Sequence, residues 1–282
     1  MASANAQEIE GWNGPVGQAW ASFHNQLDRQ IAPLGRVAME AAGIGPGQRV
    51  LDIGCGCGET TLEIARRIGT GEATGVDISA MLLQLAGQAA KAVGAVNVQF
   101  LKADAQTDDL GQGVFDVVFS RFGVMFFDDP AKAFGNIRRA LKPGGRLGFV
   151  CWRSPAENLY LTAAMGAARS VLPPSPPATP NAPGPFGLAD GERTRAILAE
   201  AGFADIAVEP FAQPIGDSDL EATVAQALNM GPLGSALRET NADDALRARA
   251  ADAVRGAYRP YLGADGKVRL PAAVWIVSAR NP

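Results

Sequence analysis

Residues 50–61 read VLDIGCGCGETT, with glycines at 54, 56 and 58 and carboxylates at 52 and 59. Backbone this bare lets a ligand lie directly against the main chain. Carboxylates beside it accept hydrogen bonds and match positive charge. Two further acids follow, Asp77 in GVDIS and Asp104 in LKADA. Asp77 can accept from both hydroxyls of a ribose, and Asp104 from an exocyclic amine such as that of adenine. Asp52, Asp77 and Asp104 together suit a ligand carrying hydroxyls, an amine and a positive charge, and do not suit a phosphate. The glycine spacing agrees. A dinucleotide loop reads Gly-x-Gly-x-x-Gly, and its third glycine would fall where this chain has Glu59. A pyrophosphate on the N-terminus of the next helix would meet that carboxylate at close range.

These residues need elements that bring them to one edge. Short apolar runs at 49–54, 72–78, 98–104, 115–121 and 145–152 read as strands buried on both faces. Helical patterns alternate with them. One carries Leu62, Ala65 and Ile68. A second, capped by Ser79, carries Leu82, Leu85, Ala86 and Ala89. A third opens at Pro130, carries Ala131, Phe134 and Ile137, and stops before residues 142–145. Such alternation predicts a parallel sheet with right-handed crossovers, and Asp52, Asp77 and Asp104 fall at the carboxyl ends of its first three strands. Beyond Trp152 the spacing predicts a helix over 157–172 and a stiff connector with seven prolines over 173–185. A helix capped by Asp190 and stopped by Gly202, a strand over 206–216, helices over 219–239 and 242–258, and a closing strand over 267–280 follow.

The composition narrows the function classes. The 282 residues are 47% hydrophobic and 19% charged, so a large core is available and global disorder is excluded. The formal charge is −4, and the densest basic run, 138–146, holds four basic residues. That run reads as the solvated end of a helix and a turn, so no nucleic-acid partner is expected. No run of about 18 apolar residues predicts a membrane span. The N-terminal residues lack the pattern of a signal peptide, and three cysteines are an odd number suited to a reducing compartment. A cytoplasmic location is the expectation. Cys55, Cys57 and Cys151 lack a convincing fourth ligand, the sole histidine being His24. They read as small residues filling a loop and a strand end, and no metal is expected.

VLDIGCGCG, GVDIS, LKADA, FDVVFSRFGVMFF and LKPGGRL occur in an order and spacing that resembles the class I S-adenosylmethionine-dependent methyltransferases. The resemblance covers residues 45–152 and is strongest toward the small-molecule group that includes ubiquinone- and menaquinone-biosynthesis enzymes. It implies S-adenosylmethionine as cofactor. The backbone from Gly54 through Cys55 and Gly56 to Gly58 would lie against the methionine moiety, and Asp52 would support its ammonium through the loop or a water. Asp77 would take the ribose, with Ile78 against the adenine. Asp104 and the Ala105 amide would read the adenine edge, and Ser120 would lie near the methionine part. The implied fold is α/β, a Rossmann-like seven-stranded sheet of order 3-2-1-4-5-7-6 with the last strand antiparallel, helices on both faces and a helical lid. The expected organisation is an N-terminal helical segment over the cofactor (1–40), a binding core (41–152), and a completing region (153–282) with lid insertions at about 153–188 and 217–266.

A small-molecule acceptor is expected by elimination. Ser120-Arg121-Phe122-Gly123 replaces the Asn/Asp-Pro-Pro-aromatic motif of base-amine methyltransferases. Residues 115–135 hold no pair of glutamates such as the arginine methyltransferases place there, and Arg121 stands where a catechol-type metal site needs an acid. Val224, Leu228, Met230, Leu233 and Leu237 have helical spacing that fits either plain packing or a substrate-facing lid, the latter favouring an apolar or aromatic molecule. Trp20 and His24 share a helical face. His24, Arg121 and Tyr160 are candidates for chemistry, but no catalytic residue is assigned. The acceptor atom and oligomeric state are not read from the sequence. Two alternatives stand: a protein that holds the cofactor without methyl transfer or for another reaction, and an NAD-dependent oxidoreductase.

Overall fold

The computed structural model describes residues 5–174 and 179–282. Part of the proline-rich connector, residues 175–178, lies outside them, as do residues 1–4 of the N-terminal segment.

Among the described residues, seven strands form one sheet. They are β1 (Arg49–Ile53), β2 (Glu72–Asp77), β3 (Val98–Lys102), β4 (Phe115–Arg121), β5 (Leu141–Trp152), β6 (Ala204–Ile215) and β7 (Leu270–Arg280), in the order 3-2-1-4-5-7-6. β1 pairs in parallel with β2 and with β4, and Val50 faces Ala73 on one side and Val117 on the other. β7 alone runs against its neighbours, with Phe149 of β5 opposite Val277. Order and strand directions are those expected. Val50, Leu51, Val117, Val118, Phe119, Phe149 and Val150 are all buried, the two-sided burial that short apolar runs signal. Pro210 and Pro214 sit on the edge strand β6, where a missing N–H costs no ladder bond on the open side.

Helix α1 (Ala6–Asn13) and the long α2 (Pro15–Ala41) precede the sheet. The second half of α2 buries Leu34, Ala38 and Met39 in the main core, and its first half passes over the carboxyl ends of the strands. α3 (Glu59–Ile68) spans the predicted residues, and α4 (Ala80–Ala92) is capped by the Ser79 hydroxyl, which accepts from Leu82 N at 3.4 Å. α5 (Pro130–Ala140) is capped by Asp129. α6 (Leu159–Ala168) follows a 3-10 turn at Pro155–Glu157. Buried Asn158 at its start donates to the carbonyl of Ala273 and accepts from the N–H of Ala273, tying the insertion to β7. α7 (Gly191–Glu200) is capped by Asp190, as expected.

Two boundaries differ from the sequence reading. β5 starts at Leu141, not 145. Leu141 still pairs with Phe115, and the register then shifts before Val117 meets Arg146. Gly144, at φ 76°, absorbs the irregularity, so KPGG is a bulge inside the strand and not a turn before it. The expected helix over 219–239 is two, α8 (Leu220–Asn229) and α9 (Gly231–Glu239). Met230 is extended and Gly231 lies at φ 62°, because Pro232 offers no N–H to the preceding turn and disfavours helical geometry in the residue before it. α10 (Asp244–Tyr258), capped by Asp243, then leads to β7.

α6, α8, α9 and α10 share a hydrophobic cluster separate from the main core. It holds Ala164, Val224, Leu237, Ala250, Val254 and Tyr258. The described residues contain no helix long and apolar enough to cross a membrane.

Candidate cofactor and acceptor site

The loops after β1 and β4 approach until backbone meets backbone. A Cβ on Gly54 would lie 2.8 Å from the Cα of Gly123, and one on Gly123 would lie 2.5 Å from the Ile53 carbonyl oxygen. Ser120 holds this contact. Its hydroxyl donates to the Ile53 carbonyl at 2.8 Å and accepts from Gly123 N at 3.1 Å. It is fully buried and braces the loop from behind. Gly58 is also turned away from the open side. At φ 88°, its missing Cβ leaves room for Ala86 and Phe100, a packing role. Gly54, Cys55 and Gly56 face the cavity.

Asp52 lies under this loop, 1% exposed. Its Oδ2 accepts from the Thr61 hydroxyl at 2.7 Å, and its Oδ1 is buried with no partner. Burial pushes the carboxyl up to about 7. Thr61 and Arg121 oppose the rise, and Asp77 and Glu59 add to it. An unpaired buried acceptor beneath a glycine loop is a site that lacks a donor or a cation.

Asp77 ends β2. Its oxygens accept from Gly56 N at 2.9 Å and Ser79 N at 2.8 Å, which fixes the carboxylate and leaves each oxygen capacity for another donor. Burial raises its pKa, and the backbone N–H groups work against that rise. Ile78 and Ala105 border the same space. Asp104 is more fully engaged. Asn5 Nδ2 lies 2.9 Å from both of its oxygens, Gln106 N donates to Oδ1 at 2.9 Å, and the Thr107 hydroxyl donates to Oδ2 at 3.1 Å. An exocyclic amine reaches Asp104 only by displacing Asn5. α1 closes over this end, with Asn13 Nδ2 on the Ile78 carbonyl and Trp12 edge-on to Trp20 and Phe126.

One cavity of about 740 Å³ runs from these acids to the lid helices. Beyond the glycine loop its wall is an aromatic ladder. Phe122 stacks on Trp152 at 4.3 Å and 11°, and Trp152 on Tyr160 at 5.7 Å and 27°. Phe122 is held at φ 63°, a costly conformation for a bulky residue, on the order of 1–3 kcal/mol. That backbone turn directs its ring onto Trp152. Met230 and Leu233 close the far side, whereas Val224 and Leu237 face the lid's own core. The apolar stripe therefore serves both packing and lining.

The candidates for chemistry are all on the cavity wall. His24 Nδ1 pairs with Glu59 Oε1 at 2.5 Å, and Arg121 with Asp28 at 2.7 Å. The Tyr160 hydroxyl donates to Gln30 Oε1 at 2.7 Å, and burial raises its pKa. Among the described residues, His24, Cys57 and Glu59 bring ligand atoms within 4.8 Å of one another. Burial pushes the Cys57 thiol up to about 12. Cys151 is buried against Leu188 and does not join them.

Sequence reasoning missed Phe122, Trp152, Gln30 and Gln226 as wall residues. Trp152 was within reach, since it ends a parallel strand at the ligand edge. Gln30 also left a signal: it interrupts the apolar series Leu27, Ile31 and Leu34 on the buried face of α2.

Residues 50–145 match a family model described as a methyltransferase domain. This is a class I S-adenosylmethionine-dependent methyltransferase domain. A dinucleotide reading falls with it, in accord with Glu59 at the start of α3. The chain is 39% identical over 135 residues to an uncharacterized protein of Mycobacterium tuberculosis, a span covering 47% of this chain and 48% of that one. It is 35% identical over 140 residues to a ubiquinone/menaquinone biosynthesis C-methyltransferase of Pseudomonas aeruginosa, covering 49% of this chain and 55% of the relative. The matched span is thus about half the length of these curated relatives. The fold resembles that of a phosphoethanolamine N-methyltransferase of Haemonchus contortus solved with S-adenosylmethionine (TM-score 0.60, 19% identity, 100% of this chain and 60% of the other).

Proposed function

We propose that this chain is an enzyme that transfers a methyl group from S-adenosylmethionine to a small, apolar or aromatic molecule. The carrying observation is the single cavity that joins the acid-lined strand ends to an aromatic wall beneath the lid helices. S-adenosylmethionine supplies a methyl group already activated on a sulfonium, so the protein's tasks are to bind, orient and exclude water. The residues fit those tasks. Asp77 has acceptor capacity left for ribose hydroxyls, with Ile78 placed for the adenine. Asp104 and Ala105 serve the adenine edge once Asn5 moves aside. Gly54, Cys55 and Gly56 offer bare backbone to the methionine part, and the unpaired Asp52 Oδ1 gives its ammonium a counter-charge through the loop or a water. Gly58 and Ser120 hold the loop in that shape from behind.

The N-terminal segment, the core and the two lid insertions act together as one enclosure. Of the described residues, 5–40 cover the cofactor end, and those within 153–188 and 217–266 cover the acceptor end. Enclosure favours a compact acceptor over a polymer. Three free, buried cysteines suit a reducing compartment, the cytoplasm. The test is incubation of the full chain with S-adenosylmethionine carrying a tritiated methyl group, together with a cell-extract metabolite fraction. Label should pass into a low-molecular-weight, organic-soluble product. Binding of the cofactor without any such transfer would leave a cofactor-holding protein in its place.

A further inference from the structure

We propose that Gln30 and Gln226 read an oxygen acceptor on the methyl-accepting molecule, and that this molecule is a flat, conjugated carbonyl compound. The inference rests on the methyltransferase reading above and adds the chemistry of the acceptor.

Three separate elements meet at the acceptor end of the cavity: Gln30 from α2, Gln226 from the lid helix α8 and Tyr160 from α6. Gln30 is 2% exposed and Gln226 8%, yet both border the cavity. Their hydrogen bonds can be counted. Gln226 Oε1 accepts from Gln26 Nε2 at 2.7 Å and from Gln30 Nε2 at 3.0 Å. Gln30 Oε1 accepts from the Tyr160 hydroxyl at 2.7 Å and from Gln226 Nε2 at 3.2 Å. An amide oxygen has two lone pairs, so both carbonyls are saturated. Each Nε2 carries two N–H groups and uses one. What the pair has left is the second N–H of Gln30 and that of Gln226, the latter facing the Tyr160 oxygen, where a ligand oxygen can compete for it. The Tyr160 hydroxyl hydrogen is already spent on Gln30.

A donor pair in an apolar enclosure selects an acceptor. A buried N–H without a partner is costly, so a ligand oxygen that fills it gains what a CH₂ in the same place cannot. Arg121 and Asp28, charged groups on the cavity wall, neutralise one another at 2.7 Å. A neutral carbonyl therefore matches better than a carboxylate. The shape of the rest of the ligand follows from the wall. The rings of Phe122, Trp152 and Tyr160 stack nearly parallel, and Tyr160 at the end of the ladder is itself bonded to Gln30. A planar ring system on the ladder would carry its oxygen toward the amide pair.

The test uses the full chain with S-adenosylhomocysteine and two probes of equal heavy-atom count, 2-acetylnaphthalene and 2-isopropenylnaphthalene. Binding is read by quenching of tryptophan fluorescence. The ketone should bind at least tenfold more tightly than the hydrocarbon. Gln226→Leu and Gln226→Met should each bring the ratio within about threefold while leaving S-adenosylhomocysteine affinity unchanged, which also reports that each variant is folded. Equal binding of the two probes to the unaltered protein, binding of neither, or a ratio that survives both substitutions would overturn the assignment. Failure of S-adenosylhomocysteine to bind the unaltered protein would instead remove the methyltransferase reading, a separate result from a lost probe ratio.

Discussion

Asp52 carries the sharpest physical contradiction in the molecule: an acid in the dry interior with one oxygen unpaired. Its folded pKa of about 7 stands above the ordinary 3.8. The stability linked to this group is therefore fully present below about 3.8 and is lost as pH rises through about 7, a difference on the order of 4 kcal/mol. Asp52→Asn removes that dependence. Without ligand, the variant should match the unaltered protein at pH 4 and exceed its melting temperature at pH 8. Parallel melting curves for the two proteins across that range would show that Asp52 does not titrate as described. Asp52 and Asp77 were legible in the sequence because the spacing of strand ends and glycines restricts what such acids can do. The long-range contacts around the cavity were not. Nothing local tells that Asn5 reaches Asp104, 99 residues away, or that Gln30 meets Gln226 across 196.

Helices α1 and α8–α9 close the two ends of the cavity by different means. α1 uses polar contacts, above all Asn5 on Asp104. If an adenine amine takes that place, Asn5 competes with it, and Asn5→Ala should tighten S-adenosylhomocysteine binding by about three- to tenfold, the scale of one to two hydrogen bonds. Unchanged or weaker affinity in a direct titration would remove Asp104 from the adenine site. The lid uses apolar contacts. Leu237 is fully buried in a cluster of its own with Ala250, Val254 and Tyr258. Leu237→Ala should lower stability in urea by about 2–4 kcal/mol while S-adenosylhomocysteine affinity stays within tenfold. A loss of affinity beyond that would mean the lid core and the cofactor end are one unit. Most elements were readable from periodicity and caps. The break at Met230 and Gly231 was missed because the apolar spacing continues across it, although Pro232 marked it.

At the scale of the molecule, two cores face one another across the cavity. Ile31, Ile53 and Met125 belong to the sheet's core, and Ala164, Leu233 and Tyr258 to the lid's, and all six line the same space. The strand order was legible because alternation of strand and helix leaves few ways to wind a sheet. The second core was not, since it is assembled from four helices and each shows only a short stripe. A ligand selective for the native state should raise the melting temperature, S-adenosylhomocysteine doing so and NADH not. The central claim, that the strand-end acids form an S-adenosylmethionine site, is tested most directly by calorimetric titration of S-adenosylhomocysteine into the full chain and its Asp77→Ala variant. One-to-one binding to the unaltered chain, weakened by roughly 1–3 kcal/mol in the variant, about 10- to 100-fold, is the expected result. No binding, or the same affinity for both proteins, would contradict it.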